Sequence, residues 1–448
     1  MLRMTTSKDH SLLEDTEWDV TVKKKPIIWK KWVRCSLFTF LILLALAVTA
    51  LFVFGFIYRR DFMGFIKMKP FEKPISQGLI EEHIHAGAAR MAVRLFNRAN
   101  SDKNSVWSPL TVALGLGLLL EGTTGPTAFE IESAMGWTGI DRTHVRSHIS
   151  RAITRLNNLH GLNVIIANRM FLHNSFHVAS RYKNILSENY QVTIDQVDFT
   201  HSDALESINK WGLEESRGKI KELIPSGAID ATTKMVLSTF LTFDGKWKVP
   251  FSPNRTQKSD FTSEDGKRRR VDMMYQNGKF MYGEFPAHGF TALELPYSEP
   301  NVSMMVLLPQ SLPLLKATLE EQDGKMLIGI RGKMKRIGVD VCLPKFTVET
   351  GQTMERHLSS LGIKRLFSPS SANLELISPN SELYVQKIIH RVKIQVVESG
   401  TSGHASSSSV LQGRSLIASF CADRPFLFYV EDKEANSLLF WGEYNGSE

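Results

Sequence analysis

The sequence predicts an α+β protein with antiparallel sheets, set behind one apolar segment long enough to cross a membrane. Three observations carry this. Helical spacing of apolar residues is concentrated early in the chain, whereas strand patterns dominate the later part. Residues 35–58, CSLFTFLILLALAVTALFVFGFIY, contain no charge. A long stretch of small polar residues, SGTSGHASSSSVLQGRSLIAS, lies between two strand-like runs close to the C-terminus.

The 448 residues are 43% hydrophobic and 22% charged, the balance of a folded globular chain. The formal charge of +8 is unevenly spread. Residues 1–75 hold thirteen Lys/Arg against seven Asp/Glu, so six of those eight charges sit there. A nucleic-acid-binding body is therefore excluded. Segment 35–58 exceeds the ~20 apolar residues a bilayer demands, and no small-residue cleavage site follows it. Lys23, Lys24, Lys25, Lys30, Lys31 and Arg34 crowd its N-terminal side, with Trp29, Trp32 and Tyr58 at the interfaces. Basic excess stays cytoplasmic. The expected layout is a cytoplasmic tail (1–34), a signal-anchor span (35–58), a linker (59–78) and an extracellular or lumenal domain (79–448), a single-pass type II arrangement.

Within that domain, LIEEHIHAGAARMAVRLFNRA and TVALGLGLLLEG read as helices, followed by 142–158 and SDALESINKWGLEESRG, closed by Gly218. NVIIANRMFL, KMVLSTFLTF, TALELPY, VSMMVLLP, RIGVDVCLPKFTV, LYVQKIIHRVKIQVVE and PFLFYVED read as strands. Cys35 falls in the span. Cys342 and Cys421 are left for the domain, either paired or as free buried thiols. The sequons at Asn254, Asn301 and Asn445 are glycosylation candidates. Asn254 and Asn445 stand in polar, loop-like surroundings, and Asn301 opens a strand.

The chain has no CxxC, HExxH, P-loop or G-x-S-x-G pattern, and GLGLLL lacks the third glycine of a dinucleotide fingerprint. Nothing marks a metal, a cofactor or a catalytic triad, and the expectation is a protein that is not an enzyme. The long polar stretch is a loop of a length usually reserved for function.

The pieces, taken in order, resemble the serpin family over nearly all of 79–448. NSVWSPLTVALGLGLLLEGTTGPT, INKWGLEESRGKIKEL, FDGKWKVPF, VDMMYQNGKF, LELPY, SMMVLLP and LPKF are each similar to a serpin segment. LYVQKIIHRVKIQVVESGT and ADRPFLFYVED flank the loop in the serpin order. The resemblance implies three β-sheets, eight or nine helices and an exposed reactive loop at about 398–420. It also implies a suicide inhibitor whose cleaved loop enters a central sheet.

The loop begins Glu398, Ser399, Gly400, Thr401, Ser402, Gly403, His404, Ala405. Alternation puts Thr401, Gly403, Ala405, Ser407 and Ser409 on one face, all small, with His404 on the other. No proline interrupts them. Sixteen residues beyond Glu398, where the family is cut, stands Arg414, followed by Ser415. An arginine there suits a trypsin-like protease, whose pocket ends in an acidic residue. Gly-Arg-Ser-Leu is similar to the bait of antithrombin, so a clotting-type target is expected. The alternative is a non-inhibitory binding or chaperone serpin.

The resemblance puts Thr111, Thr239, Trp247 and His390 in the family's sheet-opening region, where His390 matches the family and the two threonines depart from it. Thr239 stands where asparagine is usual, and Thr111 where serine is common. A heparin-like polyanion site is the other family option. Arg142, Arg146, Arg151 and Arg155 share one predicted helix and Lys267–Arg270 form a basic run. With the domain near neutrality, these are read as solvated surface.

Overall fold

The computed structural model describes residues 77–98, 103–159, 162–379, 382–400 and 417–446. The predicted span 35–58, Thr401, Gly403, Ala405, Arg414 and Ser415 lie outside them. Among the described residues no helix is long and apolar enough to cross a membrane, and no acid–His–Cys cluster could hold a metal.

The chain order is α1 (Gln77–Arg98), β1 (Ser105–Trp107), α2 (Pro109–Glu121), α3 (Gly125–Met135), α4 (Arg142–Asn157), β2 (Leu162–His173) and α5 (Ser180–Ile185). Then come β3 (Thr193–Val197), α6 (Asp203–Glu215), β4 (Met235–Gly245), β5 (Gln257–Thr262), β6 (Arg268–Phe285), β7 (Phe290–Pro296) and β8 (Val302–Pro309). They are followed by α7 (Leu312–Glu321), α8 (Lys325–Gly329), β9 (Lys335–Pro344), β10 (Phe346–Thr353), α9 (Glu355–Ser360), β11 (Lys387–Val396), β12 (Ile417–Cys421), β13 (Phe426–Asp432) and β14 (Ser437–Tyr444). The nine helices among the described residues agree with the expected count.

One sheet has the order β10-β11-β4-β2-β3. The other strands form the path β1-β14-β13-β8-β7-β6-β9-β12, with β5 beside β6. Strand β6 is long enough to serve two sheets. Its first part pairs with β5 and β9, and its end, Met281–Phe285, pairs with β7. Divided there, the path is two sheets, which gives the expected three.

Helix α2 is buried along its whole length, as its almost wholly apolar run between Thr111 and Glu121 demands. Pro109 opens it, and the hydroxyl of Ser108 caps it by accepting from the amide of Thr111. It lies against β4 so closely that a Cβ at Gly115 would stand 3.3 Å from Leu237. On the opposite face α6 covers the sheet, with Trp211 packed on Phe171 and Phe240.

One run read as a single strand is two. RIGVDVCLPKFTV is divided at Lys345 into β9 and β10, which belong to different sheets. Cys342 and Cys421 stand directly opposite each other on β9 and β12, with Cα atoms 4.5 Å apart, and form a disulfide.

Candidate functional site

The site is the strand pair β11–β4 and the turn that follows β11. The two strands run parallel in one register, from Lys387 beside Val236 to Ile394 beside Phe243. The chain reverses immediately after β11. Val397 and Gly400 exchange both backbone hydrogen bonds, at 2.8 and 3.0 Å, around the two residues Glu398 and Ser399. Gly400 also bridges antiparallel to Lys246, just beyond β4. It therefore lies between the ends of both strands. Gly400 has φ +115°, and an added Cβ would stand 2.0 Å from the carbonyl of Gly245, so only glycine fits.

Side chains fasten this turn. The carboxylate of Glu398 pairs with Lys345 Nζ at 3.0 Å and accepts from Thr256 Oγ1 at 2.9 Å. Burial alone would push its pKa up. Backbone donation, Lys345 and Thr256 outweigh that and hold it below the ordinary carboxylate value. Trp247 donates from Nε1 to the carbonyl of Val397 (2.9 Å) and stacks on Tyr297. Its amide binds Ser399 O.

Further down β11 the chemistry is different. His390 is fully buried, stacked on Trp107, and burial pushes its pKa down to about 3. The ring is therefore neutral. Its Nε2 accepts from the amide of Ser108 (3.2 Å), which leaves the proton on Nδ1. That N–H faces the hydroxyls of Thr111 and Thr239, both at 3.3 Å. Those hydroxyls donate onward to the carbonyls of Ser108 and Ile389. A cavity of ≈ 10 Å³ adjoins the group, lined by Thr111, Gly115, Thr239 and His390 among others.

Thr111, Thr239 and His390 thus meet, as grouped from the sequence. Trp247 does not join them; it lies beyond the end of β4, at the turn. Lys345 and Thr256 escaped the sequence reading because they come from distant segments. The visible signal was the Pro344–Lys345 break inside an apparent strand.

Two further readings are corrected. Asn445 is only 3% exposed and does not lie on an open polar loop, so it has no room for a glycan. Asn254 is exposed on a turn, while Asn301 donates to Glu434 at 2.8 Å. The arginines of α4 are engaged rather than merely solvated. Arg142 pairs with Glu132, Arg146 with Glu121, Arg151 with Glu81, and Arg155 with Asp432. The basic run is different: Lys267, Arg268 and Arg270 are exposed, as read from the sequence, with rim contacts from Lys267 and Arg269 to Asp265 and from Arg270 to Asp260.

The chain after β11 thus turns back between the ends of a parallel strand pair. The serpin (serine protease inhibitor) family model matches residues 86–446. The chain is a serpin. It is 32% identical to human neuroserpin over 371 residues, which is 79% of this chain and 89% of that one. It is 31% identical to pig plasminogen activator inhibitor 1, covering 82% and 94% of the two chains. The solved structure of native protease nexin-1 with heparin superposes with a TM-score of 0.72 at 29% identity, over 81% of this serpin and 98% of that chain. Protease inhibition, not enzyme activity, is the property for which the family is named, and plasminogen activator inhibitor 1 carries it in its own name.

Proposed function

We propose that this serpin is a suicide inhibitor of a trypsin-like serine protease, cut between Arg414 and Ser415, after which the loop enters the sheet between β11 and β4. The observation that carries this is the position of Gly400. It pairs with Val397 and with Lys246, and those two residues obey the same register that relates β11 to β4. A strand continuing from Gly400 would be in register with both neighbours at once. It would set residue 401 against Val396, 407 against His390 and 410 against Lys387.

The register also supports the face assignment. Ile388, His390, Val392, Ile394 and Val396 are the buried side of β11. Their partners would be Ser409, Ser407, Ala405, Gly403 and Thr401, which are all small enough for a packed interior. His404 would fall opposite Lys393, on the outer side.

Arg414 as the bait favours a protease with an acidic specificity pocket, and the Gly-Arg-Ser-Leu context favours a clotting-type enzyme. We further propose that residues 35–58 anchor the chain with its serpin domain extracellular or lumenal. A polyanion such as heparin would have to displace the carboxylates already held by the α4 arginines, so no such cofactor is proposed.

The test is to mix the full chain with trypsin or thrombin and run a denaturing gel. A protease-sized upward shift that is abolished in Arg414→Glu is the expected result. Cleavage with no shift means a plain substrate, and neither cleavage nor shift means a binding or chaperone module. Thr401→Arg should still be cut but should release active protease, because it drives an unpaired cation into the sheet interior. His404→Arg should inhibit like the parent.

A further inference from the structure

We infer that the groove between β3 and α6 docks an extended, basic segment of a partner protein, which joins the sheet as one more strand. This site is separate from the loop and from its insertion. Among the described residues β3 is the last strand of its sheet. It runs parallel to β2, with Thr193 beside Arg169 and Val197 beside His173. The carbonyl of Val197 accepts from the amide of Asn174, one residue past its partner. In a parallel ladder, alternate residues turn both backbone groups to the neighbouring strand. Thr193, Asp195 and Val197 therefore bond β2, whereas the amides and carbonyls of Ile194 and Gln196 point outward. Such an edge is a template for a further strand. The usual blunting devices are missing from TIDQV: it has neither lysine nor proline, and its one charge, Asp195, is paired with Arg169 at 3.0 Å.

The space beside this edge suits a peptide. A groove of ≈ 760 Å³ runs between β3 and α6. Ile194 packs against the core that contains α2, and Val197 against the one that contains Trp211. What Ile194 offers the groove is thus its outward backbone. Phe171, Ile208 and Trp211 form an apolar floor. Trp211 is only 8% exposed, with the Arg169 guanidinium 4.8 Å over its ring, and its Nε1 has no acceptor among the described residues. A carbonyl of a chain laid in the groove is the acceptor this donor lacks.

The rim selects the partner's charge. Arg169 already neutralises Asp195, which leaves Asp198 and Asp203 facing the groove. Hydrogen bonds from the hydroxyl and amide of Thr200 hold the Asp198 carboxyl below its ordinary pKa, so it stays ionised. Asp203 is exposed in the first turn of α6, and no cation among the described residues pairs with it. On an added strand every second side chain would face these carboxylates. The expected ligand is therefore an extended run with lysine or arginine at alternate positions and β-branched residues between them.

The probe is a fluorescein-labelled peptide, Lys-Val-Lys-Val-Lys-Val, titrated into the full chain and followed by fluorescence polarisation. It should bind, and Glu-Val-Glu-Val-Glu-Val should not. Asp198→Asn/Asp203→Asn should weaken the lysine peptide about tenfold, through the loss of two exposed ion pairs. Backbone pairing has its own readout. Two further versions of the peptide carry N-methyl groups on one or the other alternate set of amides. An added strand turns only one set to β3, so one version should bind like the parent peptide and the other at least about tenfold more weakly. Hydrogen exchange across 193–197 should slow when the peptide is bound. No binding, equal binding to the double variant, or equal behaviour of the two methylated versions overturns the site. A dimer of the protein alone that the peptide dissociates would make a second copy the occupant and overturn the assignment to a partner protein.

Discussion

The two fastenings along β11 use opposite chemistry. At the turn, Glu398 is charged, partly wet, and held by Lys345 and Thr256. Eight residues earlier, His390 is neutral, dry and held by an amide and two hydroxyls. The difference follows water. Near the end of the strand a charge keeps enough solvation for an ion pair to be favourable, whereas under α2 any charge would cost several kcal/mol. The strand pair is closed by one ionic contact at its rim and one uncharged network inside.

The strongest way to break the comparison is at the point both depend on, the reversal at Gly400. Gly400→Val combines a strained φ with a backbone clash and should cost more than about 3 kcal/mol. The thermal midpoint should fall and the turn should become open to proteolysis. A midpoint like the parent's would mean that the turn is not what closes the strand pair.

Acid separates the two fastenings by window. His390 titrates near 3 in the folded chain against 6.5 ordinarily, so its contribution is complete above pH 6.5 and drains away as pH falls toward 3. From pH 6.5 to 5 the loss is about 2 kcal/mol. His148, pushed down to about 4 mainly by burial, loses stability in the same direction. Glu398 behaves as a lowered carboxylate: its contribution is present above its ordinary pKa and is lost only below it. Melting curves of His390→Gln should therefore show a shallower pH slope than the parent between pH 6.5 and 5. Parallel slopes would remove His390 from the account.

A smaller effect is expected at the rim. Lys345→Met leaves the Glu398 carboxylate without its cation and should cost about 1–2 kcal/mol, whereas Glu398→Gln should cost less than ~1 kcal/mol. The reverse order would show that the carboxylate, not the lysine, is the better solvated partner. Smallest of all, Thr239→Asn can reach the His390 Nδ1 proton and fill part of the ≈ 10 Å³ cavity. It should raise the midpoint by no more than the ~1 kcal/mol of one hydrogen bond.

Much of this was legible in the one-dimensional chain because local periodicity and residue size speak for themselves. The buried helix α2, the strands around Thr239 and His390, and the small-residue alternation after Glu398 all follow from side-chain spacing that needs no partner to be seen. The partners were not legible. Lys345 reads as one more residue in the run RIGVDVCLPKFTV, and becomes the holder of Glu398 only because β9 and β10 part there into separate sheets. Asn445 reads as a loop asparagine beside two glycine-like small residues, and is buried by chain brought from elsewhere. Cys342 and Cys421 stand 79 positions apart, and nothing local distinguishes a pair from two free thiols. Their bond is decided by strand register, as is the placing of Gly400 between β11 and β4. Periodicity records what one segment prefers, while register and pairing depend on which distant backbone lies alongside, and that is settled only when the whole sheet closes.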